Sequence, residues 1–572
     1  MRCRVSKEYL FLAQINNAKT MSFKNYLKVV TGLLCFCGVG CTQETSTPLD
    51  LYSIEVSEDS FSFNEDGGSA TFYLSANEQW ELNTSSDWFS FTPTQSSTST
   101  DKAAVTISVP EWDKENAERT ATLSIKCGDI KTDAVVRRFL TITQTGPKTA
   151  DREKGIWSLK DLISFGEAIA SATVDAEPDY SAWQAEDGVI YLRKDIDAGS
   201  EALPLMGGQT TDNDTRGAFG ATFDGLGHTI KGKLVSDGQP LVALFTRLAP
   251  TGVIRNLNVD VDASNKYEGD VQKHLAGLVG FCVTSTSGSI ENCTVSGSIK
   301  MTGTATNARV GGIVAYGRVN ITGCTNNASI EAISTRVGGI CGAGGNTFTF
   351  TDCVNNGDIN VTCDAAQVGG IMGQLNKQVL LGCVNNGNIT VTGGGATVVG
   401  GLVGDSKGKQ GAIGSKDAPC VNNGNITLNG SETESTNASA AAGITGDVTE
   451  STIVISYCTN KGTVTSKADN SLVAAAGITG YTNKTCTISN CANEGQVTSA
   501  ANAGGVLGRS TAATKVTSCS NSGDIKALAG AATTPAFFGC IVGNGSSVVL
   551  KDCTYGGTVL GSNGSSDNAK GK

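Results

Sequence analysis

Histidine is the side chain most often used in acid–base catalysis and metal binding, and the chain has only two, His228 and His274. No carboxylate stands at a recognisable spacing from His228, which is therefore predicted to be a turn residue rather than a general base. The zinc-protease motif His-Glu-x-x-His is missing, and no two Cys-x-x-Cys motifs pair as a zinc site would require. The sequence thus predicts no catalytic residue, no metal ligand, no cofactor and no enzyme.

Cysteine is the other reactive side chain, and nine of the nineteen cysteines recur at intervals of 28 to 38 residues. The nine are Cys293, Cys324, Cys353, Cys383, Cys420, Cys458, Cys491, Cys519 and Cys553. Disulfides are one interpretation in an oxidising compartment. However, nine is an odd number, and neighbouring in-register thiols have poor disulfide geometry. The fixed phase favours an unbonded ladder of small apolar groups in a core.

Acidic residues that work in pairs are the third source of chemistry. Glycosidases and polysaccharide lyases need paired carboxylates, or bases with a basic or calcium-bound partner, in one groove. Across residues 290–560 acids and bases are sparse and do not recur at equal phase. A β-helix enzyme is therefore only an alternative interpretation. Asp212 and Asp214 lie in an acidic loop, where a solvated loop is favoured over a calcium site.

A repeat must position these residues. One half of its unit reads Gly-Gly-apolar-x-Gly, as at Gly338–Gly342, and the other reads Cys-x-Asn-x-Gly, as at Cys353–Gly357. A unit of this size cannot bury its own apolar face, so coils of three short strands must stack. Glycine is expected to supply positive-φ corners and to let coils approach closely. The sequence therefore predicts a parallel β-solenoid.

Asparagine follows seven of the nine repeat cysteines by two positions, so a hydrogen-bonded ladder is predicted at a bend. Its members are Asn326, Asn355, Asn385, Asn422, Asn460, Asn493 and Asn521. The Gly-Gly-Leu-Val-Gly phrases resemble the GLUG motif of adhesin-like surface proteins and immunoglobulin-A-cleaving metallopeptidases. The helical spacing of apolar residues in Trp157–Phe165 resembles the plug that starts right-handed β-helix domains. We expect a helical cap and first strands over 150–200, the solenoid over 201–560 and a polar tail over 561–572.

Residues 51–147 alternate polar and apolar side chains in short segments, which predicts a small Ig-like antiparallel β-sandwich. Its landmarks resemble the BACON domain of Bacteroidetes surface proteins. They are Gly67-Gly68-Ser69, Trp80, Ser86-Asp87-Trp88, Arg119 and Gln144. That resemblance implies binding of carbohydrate or mucin. Trp80 and Trp88 are then candidates to stack on a sugar ring, with core packing as the alternative.

The first fifty residues indicate export. Residues 1–40 are predicted to be a signal peptide that starts at Met21. From Met21, two lysines precede an apolar stretch over 29–39 that is too short to span a membrane. The phrase Gly-Val-Gly-Cys ending at Cys41 resembles a lipoprotein signal box, which implies a lipid on Cys41. The polar residues of 41–50 are predicted to be a flexible tether.

The functional expectation follows from these parts. A net charge of −11 argues against a nucleic-acid partner. The predicted all-β chain is a small β-sandwich followed by a right-handed parallel β-helix with an N-terminal helical cap. We expect a non-catalytic outer-membrane lipoprotein at the cell surface, adhesin-like, that binds host or dietary glycan, mucin or a surface partner through the sandwich or the solenoid. The alternatives are a polysaccharide lyase or glycosidase of β-helix type, and a structural scaffold that binds a protein partner.

Overall fold

The structure is a computed structural model in which the chain divides into two compact units, with the boundary after residue 151. The structure describes residues 52–132, 134–148, 152–171, 178–212, 214–236, 238–266, 272–283, 288–302, 308–345, 347–408, 411–430, 439–449, 453–467, 471–529 and 536–571. The predicted signal peptide, Cys41 and the tether lie outside these residues. Within the described ranges, no helix is both long and apolar enough to cross a membrane.

The first unit is a β-sandwich of two sheets. Its strands are β1 (Ile54–Val56), β2 (Ser60–Phe63), β3 (Gly68–Ala76), β4 (Trp80–Asn83), β5 (Ser90–Thr92), β6 (Gln95–Ser96), β7 (Thr100–Val109), β8 (Glu118–Asp129) and β9 (Ala134–Thr145). One sheet has the order β1-β3-β7-β5 and the other β2-β9-β8-β4-β6. All pairs are antiparallel except β2 with β9. The predicted sandwich is confirmed.

Alternation along the strands builds the core of the sandwich. Strand β8 buries Ala121, Leu123, Ile125 and Cys127 and points the residues between them outward. Successive side chains of a strand face opposite sides, so one face of each sheet becomes apolar. The two apolar faces enclose a single cluster of buried residues.

A helix closes the first end of the second unit. Helix α1 spans Leu159–Ala170, and its N-cap is Ser158, whose hydroxyl accepts a hydrogen bond from the Asp161 amide at 3.1 Å. The buried ring of Phe165 packs 5.8 Å from Phe219, which belongs to the first coils. The helix thus covers apolar side chains that would otherwise face water at the end of the stack. The predicted helical cap is confirmed.

Four parallel sheets form the solenoid, which has about ten turns. Sheet A contains Val189–Tyr191, Thr222–Asp224, Val253–Arg255, Ser289–Glu291, Asn320–Thr322, Thr349–Thr351, Val379–Leu381, Ala412–Ile413, Val454–Ser456, Thr487–Ser489, Thr514–Thr517 and Val548–Lys551. Sheet B contains Ile196–Ala202, Thr229–Ser236, Asn258–Asn265, Thr294–Met301, Thr325–Asn326, Ser329–Ala332, Val354–Asn355, Ile359–Thr362, Val384–Asn385, Ile389–Thr392, Cys420–Asn422, Ile426–Asn429, Cys458–Asn460, Val464–Ser466, Ala492–Asn493, Val497–Ser499, Ser520–Asn521, Ile525–Ala527, Thr554–Tyr555, Thr558–Val559 and Ser562–Asn563.

The other two sheets come from the glycine half of the repeat. Sheet C contains Leu241–Val242, His274–Ala276, Arg309–Gly311, Arg336–Gly338, Gln367–Gly369, Val398–Gly400, Ala440–Ala442, Ala474–Ala476, Asn502–Gly504 and Phe537–Gly539. Sheet D contains Phe245–Leu248, Val279–Cys282, Val314–Gly317, Cys341–Gly344, Met372–Leu375, Val403–Ser406, Thr445–Val448, Thr479–Thr482, Leu507–Ser510 and Val542–Asn544. Each coil thus contributes to four sheets, and from Thr325 onward it adds two strands to sheet B. A coil therefore holds more strands than the three predicted, in part because the Gly-Gly phrase makes a corner between sheets C and D.

The corner between sheets A and B needs a left-handed backbone, with φ between 51° and 75°. Its residues are Leu226, Asn256, Asn292, Gly323, Asp352, Gly382, Gly414, Tyr457, Asn490, Ser518 and Asp552. Paired glycines such as Gly338 and Gly339 do not adopt positive φ. Glycine supplies three of these corners, Gly323, Gly382 and Gly414, so the expectation that glycine supplies the positive-φ corners is confirmed only in part, and the Gly-Gly phrase supplies none of them. Its glycines are needed because a Cβ there would collide with neighbouring backbone.

The asparagine ladder runs through the core as predicted. From Asn326 to Asn521, each Nδ2 donates to the Oδ1 of the next asparagine at 2.7–2.8 Å. The same nitrogen donates to a carbonyl two residues on in its own chain, for example Asn355 to Gly357 at 2.9 Å. All seven side chains are buried. Their polar atoms are therefore satisfied inside an apolar stack.

The repeat cysteines form the predicted unbonded ladder. All nine are free thiols, and all are buried except the half-exposed Cys553. Instead of bonding to each other, the thiols donate weakly to backbone carbonyls, as Cys353 does to Ile321 at 3.5 Å.

Residues 561–571, expected to be a polar tail, close the other end of the stack. Ser566–Asn568 forms a short 3₁₀ helix, and Ala569 is buried. The amides of Ile541 and Val542 donate to the Ala569 carbonyl at 3.0 and 2.9 Å. The last coil therefore has backbone partners where it would otherwise be open.

Candidate functional site

Trp80 cannot bind a sugar. It is 1% exposed, packs in the sandwich core, and donates from Nε1 to the Thr100 hydroxyl at 3.2 Å. The candidate role of Trp80 in glycan binding is therefore wrong, because no ligand reaches its ring. The alternation of strand β4 (Trp80–Asn83), whose first and third residues are buried, explains why it points inward.

Trp88 is half-buried and belongs to a stack that the sequence did not predict as a unit. The Arg119 guanidinium lies between two indole rings, with its Cζ 4.3 Å from the Trp88 centroid and 4.5 Å from that of Trp112. Its Nε and Nη2 donate to Oε1 of the buried Gln144 at 3.0 and 2.6 Å. Burial, opposed in part by the Asp87 carboxylate, lowers the pKa of Arg119. Trp88 is thereby held in one orientation.

A groove of about 530 Å³ lies beside Trp88. Its lining includes Asp87, Trp88 and three serines, Ser69, Ser90 and Ser108. Ser69 and Ser108 lie within hydrogen-bonding distance of each other, 3.2 Å between their oxygens. Hydroxyls, a carboxylate and an aromatic ring together suit a polyhydroxylated ligand that also has apolar C–H faces. We call this surface the Trp88 groove.

A second candidate surface follows the corner between sheets C and D. Side chains at the first position of a sheet C strand meet those at the third position of the next sheet D strand, as the Arg309 guanidinium does over the Tyr316 ring at 4.4 Å. We call these side chains the corner strip. They are Arg309, Tyr316, Arg336, Ala343, Gln367, Gln374, Val398, Asp405, Ala440, Asp447, Ala474, Tyr481, Asn502 and Arg509. In-register strands place equivalent positions about 4.8 Å apart.

The middle of the corner strip is a hydrogen-bonded network centred on Asp405. Gln367 and Gln374 donate to its Oδ2 at 2.5 and 3.4 Å, and the Lys407 ammonium lies 3.2 Å from the same oxygen. Asp447 lies directly opposite Asp405 on the next coil and is 7% exposed. Burial, and then the Asp405 carboxylate beside it, raise the pKa of Asp447 well above its usual range.

The pairing of these two acids shows that the sequence-based expectation was wrong: acidic residues do occur at equivalent positions in successive coils. Asp405 and Asp447 are 42 positions apart in the sequence, whereas Asp405 and Gln374 are 31 apart, yet all three are in register. The spacing varies because loops between strands differ in length. No regular sequence period could therefore bring the two acids together.

His228 also has a carboxylate partner that its sequence spacing did not predict. Its Nδ1 lies 3.0 Å from Oδ1 of Asp195, which is on the preceding coil. Both side chains are exposed, and Asp195 also accepts from the Thr229 amide at 2.8 Å. The arrangement is typical of a turn held by hydrogen bonds.

The acidic loop surrounds a buried cation. Arg247 is 1% exposed and donates to the Asp212 carboxylate at 3.1 Å and to the Asp214 carbonyl. Asp214 pairs with Arg216, which lowers the pKa of Asp214 to about 2. Both acids pair with arginines, and the Asp212 side chain is still 59% exposed, which agrees with the solvated loop that was favoured. Among the described residues, no group of three or more His, Cys, Asp or Glu side chains could hold a metal ion.

Comparison with known protein families gives a match for the β-sandwich. Residues 53–145 match the family model described as the viral BACON domain. This confirms the BACON resemblance for the first unit. Together, the BACON domain and the β-solenoid support a surface or binding role in general. No curated protein matches the chain.

Several solved structures are similar to parts of the chain. A PapD-like domain of human CEP192 is 10% identical, with 20% of this chain and 98% of that chain covered and a TM-score of 0.16. A putative immunoglobulin A1 protease from Bacteroides ovatus is 20% identical, with 53% and 84% covered and a TM-score of 0.36. A Bacteroides ovatus GH5 xyloglucanase is 13% identical, with 32% and 38% covered and a TM-score of 0.15. All three TM-scores are below 0.5, so none of these likenesses assigns an activity to the chain.

Proposed function

We propose that the chain is a non-catalytic, adhesin-like lipoprotein of the outer membrane that binds host or dietary glycan, including mucin, at the cell surface. The observation that carries this proposal is the Trp88 groove. There, a half-buried tryptophan fixed by Arg119 lies beside a carboxylate and three serine hydroxyls. The solenoid is the second part of the binding protein, a stack of in-register strands whose apolar side chains are mostly buried.

Membrane attachment through Cys41 completes the proposal. A lipid on Cys41 would hold the chain at the membrane while leaving the sandwich and solenoid in water. Replacement of Cys41 by alanine should abolish metabolic labelling with an alkyne fatty acid and release the chain from membranes. Protease shaving of intact cells should remove the wild-type chain. A chain that is spared by the protease would contradict surface display.

Binding to a glycan array that includes mucin glycans tests the proposed function. The chain from residue 42 to 572 should bind, and Trp88→Ala should weaken binding by about tenfold or more, which corresponds to about 1.4 kcal/mol. Asp87→Asn should also weaken it without changing the stack on Arg119. Phe139→Ala is the matched control, because Phe139 is 58% exposed and lies outside the groove. Binding that Trp88→Ala leaves intact would move the site away from the sandwich, and no binding at all would favour a protein partner.

The corner strip gives the alternative function its one supporting observation. Asp405 and Asp447 are paired carboxylates on a β-solenoid, as a polysaccharide lyase or glycosidase would require. However, both are buried, at 1% and 7% exposure, and Asp405 already binds Gln367, Gln374 and Lys407. These contacts are typical of a structural carboxylate. Turnover of an array glycan by the wild type, lost in Asp405→Asn, would instead establish the enzyme.

A further inference from the structure

Two arginines lie side by side at one end of the corner strip. Arg309 and Arg336 are in register on adjacent strands of sheet C, and both side chains are half-buried. Like charges directly opposite each other destabilise a pair of strands. Burial, and then the Arg336 charge beside it, lower the pKa of Arg309 to about 10. The pair therefore concentrates positive charge on a chain whose net charge is −11.

Arg309 has no acidic partner among the described residues. Its Nη1 contacts two neutral acceptors, Gln272 Oε1 at 2.8 Å and His274 Nε2 at 3.4 Å. Its Nε is buried and has no hydrogen-bond partner in the described part of the chain. An unsatisfied buried donor of this kind is unfavourable, and more so when it carries charge. The positive charge of Arg309 is therefore not neutralised by any described residue, and its guanidinium can pair with an oxyanion.

His274 adds a second unsatisfied donor. It is 0% exposed, and burial, with Arg309 beside it, lowers its pKa well below the usual range, so the imidazole is neutral. Because Nε2 accepts from Arg309, the ring proton belongs on Nδ1. Within the described residues, Nδ1 is buried and has no partner. Each of these two neighbouring side chains thus has one buried nitrogen without a partner in the described part of the chain.

An aromatic ring completes this end of the strip. Tyr316 is half-buried and lies under the Arg309 guanidinium, and it stacks on Phe281 at 5.3 Å between centroids. On the next coils, Gln367 accepts from Arg336 Nε at 3.1 Å, and the amides of Gln367 and Gln374 both donate to Asp405. Charge, an aromatic surface and amides therefore follow one another along the solenoid axis.

We infer that Arg309 and Arg336 bind the oxyanion of an acidic glycan, a carboxylate or a sulfate ester, with the sugar lying along Tyr316 and the two glutamines. The planar guanidinium fork matches these oxyanions in a bidentate arrangement. His274 is a positioning residue, because it is buried and acts by holding Arg309. The inference rests on the proposed function for the ligand being a glycan, and it names the class of that glycan. The oxyanion site itself does not depend on the Trp88 groove.

Isothermal titration calorimetry of the chain from residue 42 to 572 tests the inference with matched ligands. The ligands are a glucuronate-containing oligosaccharide and its neutral reduced form, a sulfated galactose oligosaccharide and its desulfated form, and inorganic sulfate. The variants are Arg309→Gln, Arg309→Lys and, as a matched control, Arg509→Gln. Arg509 also lies over a tyrosine of the strip, Tyr481, at 5.2 Å. Arg309→Lys keeps the positive charge but removes the planar guanidinium. It therefore tests whether binding needs the bidentate arrangement, in a variant with conservative packing.

The wild type and Arg509→Gln should bind at least one acidic oligosaccharide about tenfold or more tightly than its neutral form. Arg309→Gln should lose this preference, and Arg309→Lys should keep only part of it. Affinity should fall with added sodium chloride, since salt screens the charges. The carboxylate and sulfate ligands distinguish the two sources of oxyanion.

The outcomes separate this inference from the proposed function. Equal affinity for acidic and neutral glycans, or an acidic preference that survives in Arg309→Gln, would overturn the inference and leave glycan binding intact. An acidic preference lost in Trp88→Ala but kept in Arg309→Gln would move the oxyanion to the sandwich and overturn it as well. Sulfate binding that depends on Arg309, with no glycan bound by any variant, would support the oxyanion site and overturn the proposed function.

Discussion

Gly339 packs directly on the carboxamide of Asn355. A methyl group on the Cα of Gly339 would lie 2.4 Å from Cγ of Asn355 and 2.1 Å from the carbonyl oxygen of Gly370. The same relationship recurs along the stack, for example between Gly370 and Asn385 and between Gly401 and Asn422. The two halves of the repeat, the glycine phrase and the asparagine phrase, therefore contact each other across the core. Each glycine leaves the space in which a ladder asparagine meets its neighbour.

Gly339→Ala should destabilise the solenoid. The added Cβ would overlap backbone and a buried amide, and overpacking of this kind costs about 1–3 kcal/mol or more. Gly238→Ala is the control, because its Cβ would have no atom within 4 Å. Urea unfolding followed by circular dichroism should show a lower midpoint for Gly339→Ala only. Equal midpoints for the two variants would contradict the packing argument.

Asn385→Ala should destabilise the chain through the ladder. It removes the acceptor of Asn355 and the donor to Asn422, each at 2.8 Å. A buried polar group left without a partner costs about 1–3 kcal/mol. We therefore expect a clear fall in the thermal unfolding midpoint.

Asn386→Ala is the matched control for that prediction. Asn386 belongs to a second ladder, on the outside, where it donates to Asn356 at 2.7 Å and accepts from Asn423 at 2.7 Å. Water replaces these bonds at an exposed site, so the change should stay within about 0.5 kcal/mol. Comparable losses for both variants would show that burial does not decide the energy of the ladder.

Sequence periodicity predicted the ladders but not the strip. Cys353 and Asn355 recur at a fixed phase within each coil, so stacking alone fixes where they lie. Asp447 lies opposite Asp405 although the two are 42 positions apart and Gln374 is only 31 before Asp405, so no fixed sequence period relates the three. The Arg309 guanidinium lies over the Tyr316 ring because the Gly-Gly phrase makes a corner between sheets C and D. The repeat pattern did not predict that this phrase separates two strands.

In the sandwich, too, residue patterns marked positions without predicting their contacts or orientation. Gln144 and Arg119 were landmarks of the family pattern, and their direct hydrogen bond explains why they occur together. Trp80 and Trp88 are the same residue type, so only their positions relative to the strands determine which of the two points into the core. Trp80 begins strand β4 and points inward, whereas Trp88 lies between strands, where alternation gives no direction. Trp112, the other ring on Arg119, had no pattern that marked it.

The buried thiols should resist alkylation in the folded chain. The thiolate is the reactive form, and burial raises the pKa of Cys282 and of Cys341 to about 12. Of the fifteen cysteines in the described residues, only Cys363 and Cys553 are half-exposed. Iodoacetamide followed by peptide mass spectrometry should label these two first, and label the rest only in urea. Early labelling of Cys353 or Cys420 would contradict the closed core.

Asp447→Asn should stabilise the solenoid, and increasingly so as the pH rises. The folded-state pKa of Asp447 lies above that of an unfolded aspartic acid, because the carboxyl is buried beside Asp405. Its stabilising contribution is therefore complete at low pH, where the group is protonated in both states, and is lost as the pH rises through the raised pKa. An asparagine cannot ionise, so it avoids this loss. Thermal unfolding midpoints of both proteins at pH about 4 and about 8 measure the effect.

Asp224→Asn should change stability in the opposite direction and serves as the control. Burial opposes ionisation of Asp224, but hydrogen bonds from the Leu226 amide, Asn256 and Arg255 outweigh it and hold the pKa of Asp224 below its usual value. Its stabilising contribution is present above the unfolded pKa and is lost as the pH falls through the folded pKa. Asp224→Asn should therefore unfold at a lower temperature at pH about 8, with a smaller difference at low pH. If Asp447→Asn were instead destabilising at pH about 8, the Asp447 carboxylate would have a partner that stabilises its charge, and the assignment of a raised pKa would be wrong.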